Sequence, residues 1–437
     1  MDKIKRFDFK KLPRRPTRLL YLASVFLCFP RMLYHRLSLK KIGMKGLKPP
    51  YLLLCNHASE MDFYLMFRAI FPHLANYVVA IDGFHDKSEF LMRFAGSIGK
   101  RKFTRDPFLL KNLRYCVENL KTIIALYSEA RYTFDGTTSY LSPTTGSLVK
   151  RLGIPVVMLN TRGCFLSCPQ WNKEYKFSPL EARMELIITA EEIKTLSSEK
   201  INDIIKKNFV YDDFAYQKEK AIKIAHPRRA KGLNHILYKC SSCLAEGEMT
   251  GEGTTLTCGS CGKVWEMTEY GELKAKDGSE TFTHIPDWYA WERDCVREEV
   301  ISGEYYFEDE IYLETLPWAK KFIPHGNGRM VQNKDGVFLE LTAYGEKINL
   351  AFPPLALESL HVEFDYRKIG DCFDISTLDD SFWCYPRTKR DVVMKAALAA
   401  EEMYILAYEK IAAGRAGSRQ KNQNPEFAAQ SPAAEEF

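Results

Sequence analysis

His57 and Asp62 stand five residues apart in the string Asn56-His57-Ala58-Ser59-Glu60-Met61-Asp62. An imidazole and a carboxylate at this spacing suit a general base and its orienter. A carboxylate on one ring nitrogen fixes the tautomer and leaves the other nitrogen free to take a proton. On one continuous helix the two positions would face about 140° apart and could not meet. The chain must therefore change structure between them. Tyr51-Leu52-Leu53-Leu54-Cys55, opened by Pro49-Pro50, predicts a buried strand that ends just before His57. Ser59 predicts a helix N-cap with Asp62 in the capping-box position. The carboxylate then lies in the first helical turn and can reach back to a ring on the strand-to-helix turn. Cys55 and Ser59 are possible nucleophiles beside the base, but the first lies in the strand and the second reads as the cap.

The string resembles the Asn-His-x4-Asp signature of the glycerolipid acyltransferases, which acylate glycerol 3-phosphate and lysophosphatidic acid. The resemblance extends from about residue 45 to 225. A second segment of that family carries a Gly followed by a basic residue on the acceptor's phosphate, and Gly96-Ser97-Ile98-Gly99-Lys100-Arg101-Lys102-Phe103-Thr104-Arg105 is similar to it. Such cations beside two glycines suit a dianionic phosphate, with Arg101 and Arg105 favoured over Lys100. The competing reading is a solvated basic loop. In the third segment the family has Pro-Glu-Gly-x-Arg. Here Glu129 is kept, Ser128 and Ala130 replace the Pro and the Gly, and the Arg falls one place early at Arg131, with Tyr132 in the family's Arg position. The fourth segment keeps Pro155 and has Met158 for the second Pro of a strand that walls the substrate tunnel.

The resemblance implies transfer of an acyl group from acyl-CoA or acyl carrier protein to a hydroxyl of a glycerol phosphate or lysophospholipid, lysophosphatidic acid foremost. His57 and Asp62 would be catalytic. Asn56, Arg101, Arg105, Glu129 and Arg131 would line the substrate. The rival from another class is an inactive, membrane-associated lipid-binding protein. Strands predicted near 51–55, 77–81, 123–127 and 154–159 alternate with helices near 60–71, 87–95, 107–120 and 143–151. That alternation predicts an α/β domain on a mostly parallel sheet over 46–225.

At 437 residues the chain has room for two or three domains. Residues 1–50 hold 14 Lys/Arg against Asp2 and Asp8, a net of +12, whereas the whole chain carries +6. The apolar run Leu19 to Phe29 falls short of the roughly 20 residues that span a bilayer. Residues 1–45 therefore predict a basic, amphipathic membrane-associating segment, with Leu19, Leu20, Tyr21, Val25, Phe26, Phe29, Met32 and Leu33 entering lipid. A helix docked on the catalytic core is the alternative. The expectation is a peripheral protein on an anionic bilayer at the cytoplasmic face of the cell membrane.

Cys240-x-x-Cys243 and Cys258-x-x-Cys261 are separated by 14 residues and predict a small zinc ribbon over 226–270, its Zn closed by four thiolates and structural. A disulfide pair is the alternative. Pro227-Arg228-Arg229-Ala230-Lys231 is basic but lacks the interleaved aromatics of a single-strand binder, so no nucleic acid is expected. From 271 to 413, a helix, a meander of short strands and a last helix predict an α+β accessory domain that resembles a pleckstrin-homology module in topology. Residues 414–437 have the composition of a disordered tail.

Overall fold

The computed structural model of the chain describes residues 4–85 and 87–421, the last eight by their backbone alone. The predicted tail beyond 421 lies outside the described residues.

Seven strands build the first layer: β1 (Ser38–Ile42), β2 (Leu52–Cys55), β3 (Ala75–Ala80), β4 (Ser97–Lys100), β5 (Ile123–Tyr127), β6 (Val156–Arg162) and β7 (Glu181–Ile188). Their order is β1-β7-β6-β2-β5-β3-β4. All neighbours pair parallel except β6 and β7. β2 is central and its four residues are all buried, because helices cover both faces of the sheet and leave no polar side to the strand. The helices are α1 (Arg18–Tyr34), α2 (Met61–Ile70), α3 (Glu89–Phe94), α4 (Pro107–Tyr115), α5 (Thr145–Leu152), α6 (Cys164–Ser167), α7 (Ala190–Thr195), α8 (Ser198–Asn208) and α9 (Asp213–Glu219).

The predicted alternation is present, with three further strands, β1, β4 and β7. β4 forms where a basic loop was one of the expectations. Its Gly99 is required, since a Cβ there would come within 2.5 Å of the Phe7 ring. β7 reads poorly in sequence because its burial does not alternate cleanly. α1 packs one side on the core and leaves the other side exposed. Tyr21 and Met32 are buried, with the Tyr21 hydroxyl donating to Phe67 O at 2.9 Å, so these two do not face lipid. Leu19, Leu22, Phe26, Leu27 and Leu33 are exposed. Among the described residues, no helix is long and apolar enough to cross a membrane.

A four-stranded antiparallel sheet follows, made of β8 (Met249–Glu252), β9 (Thr255–Cys258), β10 (Val264–Met267) and β11 (Leu273–Ala275). Then come α10 (Ile285–Ser302) and seven antiparallel strands: β12 (Tyr306–Thr315), β13 (Ile323–Asn333), β14 (Gly336–Ala343), β15 (Glu346–Phe352), β16 (His361–Tyr366), β17 (Gly370–Ser376) and β18 (Ser381–Pro386). They run β15-β14-β13-β12-β18-β17-β16, and α11 (Val393–Lys421) closes the chain. β13 escapes a sequence reading because Pro324, Gly326 and Gly328 are turn formers. Here Gly328 is needed, as a Cβ would approach Leu341 to 2.8 Å.

The three sheets share one apolar core that includes Leu53, Trp265, Leu341 and Ala399. Charge fastens its margins. His235 stacks on Phe364, with ring centroids 4.9 Å apart, and its Nδ1 lies 3.0 Å from Asp371 and 3.6 Å from Asp391. Its Nε2 is 3.7 Å from Asp365. Burial alone would lower the His235 pKa, but Asp365, Asp371 and Asp391 outweigh it and raise it to about 10. The folded value exceeds the unfolded one of about 6.5. This contribution is therefore full below about pH 6.5 and is lost as pH rises through about 10. We expect the stability advantage of wild type over His235→Gln to shrink across that window in urea titrations; an advantage independent of pH would refute the charged pairing.

Candidate active site and metal centre

β2 delivers His57 to the carboxyl end of the central strand, where open α/β sheets place their ligands. The turn then bends so that α2 begins at Met61, and Asp62 reaches back as its spacing requires. Asp62 Oδ2 lies 3.3 Å from His57 Nδ1 and accepts the Ala58 and Ser59 N–H groups at 2.5 and 2.9 Å. Its Oδ1 lies 3.1 Å from the Thr161 hydroxyl. The carboxylate is 1% exposed, and its remaining partners fix it on the ring. Placing the Nδ1 proton toward Asp62 leaves Nε2 as the acceptor.

Three further residues hold the imidazole. Glu129, at the end of β5, accepts the His57 N–H at 2.6 Å through one oxygen, and the Ser139 N–H and Tyr211 hydroxyl at 2.7 and 2.8 Å through the other. Burial pushes the Glu129 carboxyl up, and those donors limit the rise to about 7. Tyr127 and Tyr132 pack on the His57 ring at 4.3 and 4.2 Å between centroids. The ring keeps 21% exposure. Cys55 is no nucleophile: burial, aided by Asp62, holds its thiol well above the ordinary range. The Ser59 hydroxyl is buried and donates to Cys164 O at 3.0 Å.

The other predicted contacts are placed differently. Asn56 is wholly buried. Its Oδ1 accepts the Thr161 N–H at 2.8 Å and its Nδ2 donates to Thr161 O at 3.0 Å, so it extends the β2–β6 ladder by a side chain. Arg101 is 2% exposed and donates to Leu316 O, Pro317 O, Asp379 O and Ser381 Oγ at 2.7 to 3.1 Å. Its fork docks the carboxy-terminal strands. Arg105 is exposed and donates to Leu355 O at 3.1 Å. Lys102 is paired with Asp82 at 2.9 Å and Asp374 at 3.6 Å.

Arg131 pairs with Glu401 of α11 at 2.7 Å and lies over Phe134 at 4.2 Å. Glu401 also accepts from Ser359 Oγ at 2.7 Å and from Arg293 of α10 at 2.6 Å. Burial raises the Glu401 carboxyl, but Arg131 and Arg293 outweigh it and hold it near 2. The clamp matters to His57 through the backbone. Arg131 precedes Tyr132, whose ring covers the imidazole, and Thr133, whose N–H donates to His57 O at 2.8 Å. Ala130 sits at φ +58°, a left-handed conformation that costs an Ala about 1 kcal/mol relative to Gly. The loop is thus bent against its preference and pinned by a buried ion pair.

Thr161, Tyr211, Ser139 and Glu401 were not found from sequence. Thr161 had a faint signal as the residue just past the predicted strand of 154–159. Glu401 had none, being one acid on a helix 270 residues from its partner.

The two cysteine knuckles repeat each other. Leu244 N donates to Cys240 O at 3.0 Å, and Gly262 N to Cys258 O at 2.9 Å. Cys240 N donates to Ala245 O, and Cys258 N to Lys263 O, at 2.8 and 2.9 Å. Leu244 and Gly262 both have positive φ, +64° and +73°. The four Sγ atoms lie within 4.8 Å of one another, with Cys240–Cys261 at 3.8 Å and Cys243–Cys258 at 3.7 Å. A disulfide needs about 2.05 Å. A tetrahedron with metal–sulfur bonds of about 2.3 Å has edges of about 3.8 Å. The donor set therefore fits a metal such as zinc, and four thiolates leave no open position. α10 grips this knuckle: Glu292 accepts Lys239 N–H at 2.8 Å, and Trp288 Nε1 donates to Lys239 O at 3.0 Å.

The sequence matches no protein-family profile and no curated protein. Among solved structures it is similar to the crystal structure of the 1-acyl-sn-glycerophosphate (LPA) acyltransferase PlsC from Thermotoga maritima. The identity is 12% and the TM-score 0.37, over 46% of this chain and 80% of that one.

Two outcomes test the site. Purified protein should carry about one zinc per chain by elemental analysis. Cys240→Ser should lose it and melt earlier, and an unchanged metal content would exclude the four-thiolate centre. Glu401→Gln, which leaves two guanidiniums short of a partner, should cost about 3 kcal/mol and speed diethyl pyrocarbonate modification of His57 as Tyr132 loosens. Arg297→Ala, on the more exposed pair with Glu402, should cost under about 1 kcal/mol and leave that rate unchanged. Equal modification rates in the two variants would disprove the clamp.

Proposed function

We propose that this protein is an acyltransferase that moves a fatty acyl group from a thioester to the hydroxyl of a glycerol phosphate or lysophospholipid. The observation that carries the proposal is the His57–Asp62 pair. Its imidazole is oriented through Nδ1, backed by Glu129 and set at the carboxyl end of β2, within a string that resembles the Asn-His-x4-Asp signature.

In this reading, His57 Nε2 takes the hydroxyl proton as the oxygen attacks the thioester carbonyl. The carbon–sulfur bond of the tetrahedral adduct then breaks, and the imidazolium returns the proton to the leaving thiolate. No acyl-enzyme is required, because the thioester is already activated and neither Cys55 nor Ser59 offers a free nucleophile. The donor is acyl-CoA or acyl carrier protein, and lysophosphatidic acid is the first acceptor to try. The exposed apolar side of α1 supports a peripheral seat on the membrane that holds a lyso-lipid. The four-cysteine centre would hold zinc and stiffen the joint between the catalytic and carboxy-terminal parts, with no role in the chemistry.

The reading as an inactive lipid-binding protein draws on a specific observation as well. Of the three arginines expected on the acceptor's phosphate, Arg101 and Arg131 are committed to the carboxy-terminal elements, and Arg105 donates to Leu355 O. One experiment separates the two. Wild type should acylate lysophosphatidic acid in vesicles from a labelled acyl thioester with sequential kinetics, and His57→Ala should lose at least about a hundredfold. A folded, zinc-loaded wild type that acylates none of several acceptors would hand the lead to the binding protein.

A further inference from the structure

At the end of the seven-stranded sheet opposite His57, the segments entering β2, β3 and β5 enclose a cavity of about 620 Å³ against the start of α1. Arg15, Arg18, Lys48 and Lys121 line it, with His73 between them, and no carboxylate does. Among the described residues, the side chains of those four Arg and Lys form no ion pair and no hydrogen bond. This is unlike Arg101, Lys102 and Arg131, whose charges are all neutralised or hydrogen-bonded. Like charges press on one another nearby. The pKa of His73 is lowered by burial and by Lys41, and that of Lys41 by burial and by Arg68.

The cavity has an apolar border. Leu22 and Phe71 line it and are 52% and 42% exposed. Along α1 the ridge continues through Phe26 and Leu27, 77% and 75% exposed. α1 lies antiparallel to α2: Tyr21 bonds near the end of α2, and Arg31 pairs with Glu60 just before its start. α1, about 25 Å long, therefore carries the ridge from the cavity in the direction of the end of the sheet where His57 sits.

We propose that this cavity binds the phosphate of an anionic phospholipid within a bilayer, while the α1 ridge enters the apolar layer beside it. Clustered cations without partners favour an anion, since each phosphate oxygen accepts from several donors. Free phosphate would satisfy the cations but leave the Leu and Phe ridge in water. A bilayer surface satisfies both at once. The site is remote from the catalytic residues and its occupation is read without turnover, so it stands or falls apart from the acyl-transfer reading.

The full, zinc-loaded chain should be pelleted with phosphatidylcholine vesicles with and without phosphatidylglycerol. Wild type is expected to bind the anionic vesicles and not the neutral ones. Lys48→Glu/Lys121→Glu, both at exposed loop positions, should weaken anionic binding at least about tenfold. Lys206→Glu/Lys207→Glu, the same charge change on α8, should stay within about threefold of wild type. Equal losses in the two pairs would reduce the effect to net charge and overturn the site. So would equal binding of wild type to both kinds of vesicle. If the Glu pair does not fold, Lys48→Gln/Lys121→Gln is read by the same criteria.

Discussion

A buried guanidinium must be neutralised, and the placement of the residues around His57 follows from how Arg131 meets that need. Its partner Glu401 arrives on the last helix, and Glu401 in turn engages Arg293 and Ser359. Removing a charge from water costs several kcal/mol, so such a group persists only where opposite charge and hydrogen bonds surround it. The loop of Ala130, Arg131 and Tyr132 is thereby tied to α11 at one side and to His57 at the other. The carboxy-terminal domain becomes part of the candidate site without contributing an atom to the chemistry.

The same economy appears at each joint. Arg101 directs its two terminal nitrogens at four oxygens at the ends of the carboxy-terminal strands, and Lys102 sits between Asp82 and Asp374. Glu292 and Trp288 hold both polar groups of Lys239 beside the first cysteine knuckle. From that knuckle a continuous path of contacts runs through α10 and Arg293 to Glu401, then to Arg131 and the cover over His57. The four-cysteine cluster, the packing of the carboxy-terminal elements and the shape of the site thus draw on one mechanical framework. Against it stand Arg15, Arg18, Lys48 and Lys121 at the other end of the sheet, whose side chains no described residue neutralises.

Sequence alone determined the parts of this protein that depend on near neighbours. The strand before His57, the turn and the Asp62 spacing are local, and so is the paired Cys-x-x-Cys, since each knuckle closes within a few residues. The alternation of strands and helices over the first 160 residues follows for the same reason, because hydrophobic period and turn formers act over short range. Tertiary structure decided where long, charged side chains go. Nothing near Arg101 or Arg131 in the chain reveals Ser381 or Glu401, so a phosphate ligand and a domain clamp look alike in sequence. The difference lies in burial: a cation in water waits for a ligand, whereas one shut into a core must already have its counter-charge or its hydrogen-bond acceptors.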